Sequence, residues 1–341
     1  MKKVPSGRFL FSVLYTVVLL MFTAYVLLDT FVIPRGVTVL PPSSGSASVQ
    51  RPSGNGGGSS SVSSDPFASD GEGGQTSDVT DGGETEEDGW EAGSKPQEPQ
   101  ITDYSYRDEN ISITITAVRE YNTDIYVADV ILSSPEYLKT ALAKNTYGRN
   151  IKEKTSEIAE RVGAILAVNG DFYGYRNEGY VIRNGILLRE TRFSSSREDL
   201  VIDEEGVMYG IREGEISAVS LFNAGAQQVL SFGPILVQDS EVSVDRSDEF
   251  GGWQSNPRCA VGMLEPLHYV FVVSDGRTRQ SEGLYLEELA NFMLDLGCTF
   301  AYNLDGGGSA TMVFNGRVIN NPTDGNSVGE RKVSDIVCIG Y

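Results

Sequence analysis

The chain has 341 residues, of which 22% are charged and 40% hydrophobic, and its formal net charge is −20. A protein that binds nucleic acid needs a basic surface, so this composition excludes nucleic acid as an expected partner. The three cysteines lie among apolar residues and are too few for a disulfide framework, so we expect buried free thiols with at most one bridge. A single histidine, His268, excludes a zinc site built from several histidines.

The N-terminal part of the chain carries the pattern of a membrane anchor. Residues 9–33, "FLFSVLYTVVLLMFTAYVLLDTFVI", are almost wholly apolar and exceed the roughly 20 residues needed to cross a bilayer. Lys2, Lys3 and Arg8 precede this run, which predicts that residues 1–8 are cytoplasmic and that the rest of the chain is extracellular. A cleaved signal peptide is the alternative, but the run is longer than a signal-peptide core and no Ala-x-Ala site follows it.

Residues 34–99 differ in composition from everything around them. They are rich in Ser, Gly, Asp and Glu and contain scarcely any aliphatic side chains. Such a segment buries too little apolar surface to offset its chain entropy, which predicts a disordered, flexible linker. Residues 100–341 are then expected to form the folded domain.

Strand patterns dominate this domain. The runs 111–118 and 125–132 alternate and predict a hairpin, and Asn-Gly inside "VIRNGILL" and "TMVFNGRVI" predicts two more, with type I′ turns. Further short strands are predicted at 199–203, 207–211, 229–237, 259–264, 268–274, 299–304 and 335–340. Helices are predicted for "EYLKTALAKN" after Ser134-Pro135, for "TSEIAERVGA" and for "LYLEELANFMLDLG". The expected fold is therefore mixed α/β (α+β), one strand-rich domain with a few helices.

The stretch "YNLDGGGSATMV" is the most unusual local feature. Asp305 follows a predicted strand and precedes three glycines, which forfeit packing and usually mark a close approach to the backbone. Successive N–H groups in such a bend can line a concavity suited to an anion, and Ser309 and Asn303 add polar groups beside it. The alternative is a glycine-rich turn with an Asx cap.

Other strand-end loops also carry polar residues. "AVNGDFYG" supplies Asn169 and Gly170, and "SNPRCAVG" supplies Arg258, whose guanidinium is suited to bidentate phosphate contacts. "VVSDGRTRQSEG" begins with Asp275, and Arg331 precedes the last predicted strand. Each motif alone is also typical of a turn or a solvated edge.

These motifs together resemble one known family. "NPRCAVG", "SDGR", "SEGLYLEELANFMLDLGCTFAYNLDGGGSATMVFNG" and "ERKVSDIVCIGY", with "AVNGDFY" upstream, resemble the phosphodiester glycosidase family over about residues 105–341. Bacterial members are often described as exopolysaccharide biosynthesis proteins. The resemblance implies a mixed α/β fold and hydrolysis of a sugar–O–phosphate linkage at the anomeric carbon. It also implies Glu288 as a helix acid, which helical geometry alone does not distinguish from Glu287.

The expected chemistry combines the residues with this resemblance. Arg258 and the glycine N–H groups would hold the phosphoryl oxygens, and Asp305 would act as nucleophile or general base, with Asp275 or Glu288 as the second carboxylate. The catalytic candidates are Asp305, Asp275 and Glu288. The substrate-binding candidates are Asn169, Gly170, Arg258, Thr278, Asn303, Gly306, Gly307, Gly308, Ser309 and Arg331.

The sequence therefore predicts a membrane-anchored extracellular hydrolase of sugar-1-phosphodiester linkages in cell-surface glycans. No cofactor is required by the motifs, and a divalent metal is left open. Two alternatives use the same residues: a non-catalytic module that binds phosphate-bearing polysaccharide, and a phosphodiesterase that cleaves the P–O bond.

Overall fold

The computed structural model describes residues 15–23, 25, 35–38, 98–244, 254–325 and 327–341. Most of the predicted membrane span 9–33 and of the predicted linker 34–99 lies outside these residues. Residues 15–23 and 25 are helical, and Arg35–Thr38 is a strand that pairs with Thr146–Arg149. None of the helices in the described ranges combines the length and the apolar character that crossing a membrane requires. The anchor and the linker stay predictions.

The strands are numbered in chain order: β1 Arg35–Thr38, β2 Gln100–Ile101, β3 Ser105–Arg107, β4 Ile111–Glu120, β5 Thr123–Leu132, β6 Leu138–Leu142, β7 Thr146–Arg149, β8 Leu166–Asn169, β9 Val181–Arg183, β10 Ile186–Arg189, β11 Glu198–Ile202, β12 Met208–Arg212, β13 Gln228–Leu230, β14 Ile235–Gln238, β15 Glu241–Val242, β16 Cys259–Glu265, β17 His268–Ser274, β18 Phe300–Leu304, β19 Met312–Phe314, β20 Arg317–Val318, β21 Thr323–Asp324, β22 Ser327–Val328 and β23 Asp335–Ile339. The α-helices of the described residues beyond position 98 are α1 Thr155–Val162, α2 Ala218–Asn223 and α3 Leu286–Asp295.

The largest sheet has nine strands in the order β15-β14-β18-β16-β17-β5-β4-β3-β2. Its longest pairing is the hairpin β4–β5, in which Ile111 faces Leu132 and Glu120 faces Thr123. Tyr121, at φ 50°, and Asn122, at φ 55°, form its two-residue turn. Positive φ at both central positions is the geometry of a type I′ turn, so the predicted hairpin is confirmed.

A second sheet, the β8 sheet, has the order β20-β19-β8-β23-β6 and packs against the nine-stranded sheet. Between them lies a hydrophobic core to which β4, β5, β16, β17 and β18 contribute from one side and β8, β19 and β23 from the other. The Asn-Gly turn between β19 and β20 has positive φ at Asn315 and Gly316, as predicted. Helix α1 covers the outer face of the β8 sheet.

A third sheet, the β11 sheet, has the order β10-β9-β13-β11-β12 and carries the other predicted Asn-Gly hairpin. Helix α2, which was not predicted, packs on it through Ala218 and Leu221. Helix α3 packs on the nine-stranded sheet in a separate apolar cluster. The strand-rich mixed α/β prediction is confirmed. The free, buried state of Cys259, Cys298 and Cys338 also agrees with the sequence.

The helix predicted after Ser134-Pro135 is wrong. The chain makes one 3-10 turn, Pro135–Tyr137, capped by Ser134, and then enters β6. Leu138, Thr140 and Leu142 are the buried residues of β6, which is an alternation of period two. Pairing with β23 supplies the strand with a partner, so tertiary contact overrides the helical propensity of this segment.

Antiparallel register brings several loops to one end of the sheets. Cys259 at the start of β16 faces Leu304 at the end of β18, and Ile336 near the start of β23 faces Asn169 at the end of β8. The segments that precede β16 and β23 therefore meet the segments that follow β18 and β8. These segments contain most of the candidate site residues.

Candidate active site

Asp305 follows β18 directly and has a partly exposed side chain. Burial raises the pKa of its carboxyl to about 6, although the Ser309 hydroxyl and the charges of Arg331 and Arg176 act in the opposite direction. Ser309 Oγ lies beside this carboxyl without a hydrogen bond of good geometry among the described residues. Asp305 thus changes its protonation state near neutral pH, as a general acid or base requires.

Two of the three glycines after Asp305 are favoured by the backbone geometry. A Cβ at Gly306 would lie 2.7 Å from the Pro257 carbonyl oxygen. Gly307 has φ +61°, a left-handed conformation that favours glycine. A Cβ at Gly308 would lie 2.5 Å from Asp324 Oδ1, the end of an exposed side chain that can shift.

Two of the N–H groups that were predicted to bind an anion donate instead to carbonyl oxygens of the protein. Gly307 N donates to Pro257 O at 2.8 Å, and Ser309 N donates to Gly306 O at 3.2 Å. Within the described residues, the N–H groups of Gly306 and Gly308 donate no hydrogen bond. Those two groups are the donors that the bend can offer to a ligand.

Asn169 and Gly170 form hydrogen bonds with the main chain of Asp305, where this bend begins. Asn169 Nδ2 donates to the Asp305 carbonyl oxygen at 2.6 Å, and Asn169 Oδ1 accepts from Thr311 N at 3.2 Å. Gly170 O accepts from Asp305 N at 3.3 Å. Asn169 is fully buried, so these contacts correct its predicted role from substrate contact to support of the catalytic backbone.

A buried ionic triad, Asp171–Arg183–Asp335, lies next to Gly170. Arg183 Nε lies 2.8 Å from Asp335 Oδ2, and Arg183 Nη2 lies 3.0 Å from Asp171 Oδ1. Burial raises the pKa of Asp335 to about 7 despite the guanidinium. Gly170 N donates to Asp335 O at 2.9 Å, and a Cβ at Gly170 would lie 2.3 Å from Asp335 Oδ1. The triad therefore fixes the strand ends that hold Asp305.

Arg258 has a buried side chain that contacts a loop. Its Nε and Nη2 donate to Leu284 O and Gln254 O, each at 2.9 Å. Burial, with a smaller contribution from the nearby charge of Arg277, lowers the pKa of the guanidinium to about 10. Its predicted contact with phosphoryl oxygens stays a prediction.

Asp275 and Thr278 also have structural partners. Asp275 Oδ1 accepts from Asn321 N at 2.7 Å, and Asp275 Oδ2 accepts from Asn321 Nδ2 at 2.8 Å. Thr278 Oγ1 donates to Ser281 O at 3.2 Å within its own turn. Both oxygens of Asp275 thus accept hydrogen bonds from Asn321, and its role as the second catalytic carboxylate stays a prediction.

Glu288 caps a helix. It is the third residue of α3, and its Oε2 accepts from Tyr285 N at 2.9 Å, in the reciprocal contact of a capping box. The predicted catalytic role of Glu288 stays a prediction beside this capping contact.

Glu288→Gln is expected to retain both turnover and stability, because glutamine serves equally at this capping position. Glu288→Ala is expected to lower the free energy of unfolding by about 0.5–2 kcal/mol. Urea unfolding and turnover of both variants test this. A Gln variant that folds normally but lacks activity would return Glu288 to the catalytic group.

Asn303 and Arg331 complete the predicted set. Asn303 is buried in β18 and donates from Nδ2 to Gly233 O at 2.8 Å, so it supports the neighbouring loop. Arg331 is partly exposed and binds Asp324 Oδ1 through Nη2 at 2.7 Å. Its charge lowers the pKa of the Asp305 carboxyl, and its contact with substrate stays a prediction.

The segment 172–176 contains Tyr175 and Arg176, which sequence reasoning did not identify. Phe172 and Tyr175 stack at 4.3 Å between ring centroids, and the Arg176 guanidinium lies 5.9 Å from the Phe172 ring. Arg176 also donates from Nη2 to Ser231 O. Its charge lowers the pKa of the Asp305 carboxyl, as the charge of Arg331 does. The motif "GDFYGYR" contained the signal, an arginine next to aromatic residues at a strand end.

Metal-ligating groups are not assembled in the described residues. No cluster of three or more His, Cys, Asp or Glu side chains there could hold a metal ion.

The fold and the site together define a class of protein. The candidate active site combines the Asp305 carboxyl, whose pKa is raised by burial and lowered by the charges of Arg331 and Arg176, with the backbone N–H groups of the glycine bend. The chain belongs to the phosphodiester glycosidase family, whose profile matches residues 162–340. The resemblance found in the sequence motifs is confirmed.

Similar proteins include one bacterial and one human relative. An uncharacterized SPbeta prophage-derived protein, YomE, of Bacillus subtilis is 30% identical over 205 residues, which cover 57% of this chain and 31% of the relative. Human N-acetylglucosamine-1-phosphodiester alpha-N-acetylglucosaminidase is 29% identical over 208 residues, which cover 54% of this chain and 39% of the relative. The matched region is thus less than half of each relative.

A solved structure has the same fold. The catalytic domain of the zebrafish N-acetylglucosamine-1-phosphodiester alpha-N-acetylglucosaminidase, auto-inhibited by its pro-peptide, superposes with a TM-score of 0.55 at 20% identity. The superposition covers 68% of this chain and 83% of that domain.

Proposed function

We propose that this protein hydrolyses sugar-1-phosphodiesters by cleaving the glycosidic C–O bond. The observation that carries the proposal is the Asp305 carboxyl at the end of β18, whose pKa burial raises to about 6 against the opposing charges of Arg331 and Arg176. Membership of the phosphodiester glycosidase family supports it. The names of the vertebrate relatives make N-acetylglucosamine the first sugar to test.

Each part of the site has a role in this reaction. Arg331 and Arg176, with the N–H groups of Gly306 and Gly308, stabilise the negative charge of the phosphate as it departs. Asp305 in its ionised form attacks the anomeric carbon or activates the water that does so. A phosphate monoester is a good leaving group without protonation, so the site does not need Asp275 or Glu288 as an acid.

Product analysis in ¹⁸O-labelled water tests the proposal. The purified chain is incubated with a methyl N-acetylglucosamine-1-phosphodiester, with and without chelator. Label in the released sugar supports C–O cleavage. Label in the phosphate instead would establish the P–O phosphodiesterase, and binding without any product would establish the non-catalytic module. Loss of activity with chelator would add a metal requirement.

The pH dependence of kcat/KM is expected to follow Asp305. Because the ionised carboxylate is the active form, kcat/KM rises about tenfold per pH unit below the pKa and levels off above about pH 6. Initial rates between pH 4 and 8 measure this limb. A rate that falls through pH 6 would identify Asp305 as a general acid and contradict the assigned role.

We also propose that the domain acts outside the cell, tethered to the membrane. The apolar run 9–33 with its preceding basic residues supports an anchor, and the composition of 34–99 supports a flexible linker. Membrane fractionation and protease accessibility on intact cells test this. A chain found in the soluble fraction, or protected from external protease, would contradict it.

A further inference from the structure

A groove lined in part by Asn321, which donates two hydrogen bonds to Asp275, has no part in the proposed chemistry. It has a volume of about 730 Å³, within the range of ligand sites in proteins. Its walls come from β4, β5, the loop before β3 and the segment around β20. The residues on which the inference depends are Tyr104, Thr116, Tyr126, Arg317 and Asn321.

The chemistry of the walls fits a saccharide. Tyr104 is exposed and Tyr126 is partly exposed, so both can offer ring faces to the apolar faces of sugar rings. Thr116, Asn321 and the Tyr126 hydroxyl supply hydrogen-bonding groups between the rings. Asn321 Nδ2 donates to Asp275 Oδ2 at 2.8 Å and lies 3.3 Å from the Tyr126 hydroxyl, so a sugar hydroxyl would join an existing hydrogen-bond network.

The charges on the walls of the groove favour a neutral ligand over an anionic one. Arg317 carries the positive charge among the lining residues, and its Nη2 already lies 3.1 Å from Asp103 Oδ1 and donates to Asp103 O at 2.8 Å. A phosphate or polyanion would gain little from a cation that is compensated in this way. Sugar hydroxyls need no net charge.

The groove is connected to the candidate active site through a short segment. Asn321 lines the groove, whereas Asp324, three residues later, binds Arg331 beside Asp305. Three residues span at most about 11 Å. The groove and Asp324, the partner of Arg331, therefore lie within the length of a short chain of sugars.

We infer that this groove binds a neutral oligosaccharide, namely the glycan that remains attached to the phosphoryl group of the substrate. The inference rests on the proposed function for the reaction, but the binding itself can be measured without turnover. It deepens the proposed function, because the group that stays attached to the phosphate of the natural substrate is then a polymeric glycan and not only a single sugar.

The experiment is calorimetric titration with phosphate-free tetrasaccharides of N-acetylglucosamine, mannose and glucose. We expect at least one of them to bind the wild-type chain and to bind Tyr104→Ala at least tenfold more weakly. Phe222→Ala, which removes another exposed aromatic ring on α2, is the matched control and should bind normally. Circular dichroism confirms that both variants fold.

Two results would overturn the inference: no tetrasaccharide binds the wild-type chain, or Tyr104→Ala binds as tightly as Phe222→Ala. A second readout is the ratio of KM for the methyl phosphodiester to KM for the same ester carrying a tetrasaccharide. This ratio should exceed one and fall toward one in Tyr104→Ala. If tetrasaccharides bind through Tyr104 but no ester is hydrolysed, the proposed function fails while the groove stands.

Discussion

Asp305→Asn is expected to lower kcat by about 100- to 10,000-fold, because asparagine cannot act as a base or as a nucleophilic carboxylate at the anomeric carbon. Asparagine has nearly the same shape as aspartate, and the neighbouring backbone contacts to Asn169 and Gly170 involve main-chain atoms of residue 305. The fold should therefore be preserved. Release of reducing sugar from the methyl phosphodiester measures the effect.

Two controls separate this loss of chemistry from loss of binding or folding. Asp129→Asn neutralises a partly exposed carboxylate that pairs with His268 on the nine-stranded sheet, and it should leave kcat unchanged. The Asp305→Asn variant should still bind the phosphodiester in a titration. Near-normal turnover by Asp305→Asn would remove this carboxyl from the mechanism.

Arg183→Met is expected to destabilise the protein by about 3–5 kcal/mol, because it leaves Asp171 and Asp335 buried without their cation. The loss should be larger at pH 8 than at pH 5. Without Arg183 the two buried carboxyls have raised pKa values, so the folded state binds more protons than the unfolded state, and stability falls as the pH rises. Urea unfolding at both pH values measures it.

Arg119→Met provides the matched comparison. Arg119 pairs with Asp124 at 2.7 Å, but both side chains are exposed. A surface pair of this kind contributes about 0–1 kcal/mol, so its loss should be small at either pH. The double variant Arg183→Met/Asp335→Asn should recover part of the lost stability. Equal effects of Arg183→Met and Arg119→Met would show that the triad does not stabilise the fold.

The sequence predicted correctly those hairpins and helices whose local residue pattern agrees with the way they pack in the fold. The three hairpins have alternating strands and turn residues that adopt positive φ, and both requirements act over a few residues. Helices α1 and α3 were also predicted, because each has one apolar face. The segment that forms β6 was mispredicted, because the two-residue alternation of Leu138, Thr140 and Leu142 became decisive only through its pairing with β23.

The same distinction applies to the candidate site. The sequence identified Asp305, the glycine bend and Arg331, since glycines beside a strand-end carboxylate are a local signal. It assigned chemistry to Arg258, Asp275 and Glu288, whose partners are a loop carbonyl, an asparagine side chain and a helix N-terminus. A motif contains the residue type but not its hydrogen-bond partner.

Residue order was enough to predict the family, the strand-rich fold and Asp305 as the candidate reactive carboxylate, because motifs and strand patterns are local signals. The folded chain sets which charges act on Asp305 and which arginines support the backbone. Arg176 and Arg331 reach the carboxyl from segments that are more than 150 residues apart, whereas Arg183 is enclosed between two acids. Charge interactions depend on distance and burial, and the folded chain sets both.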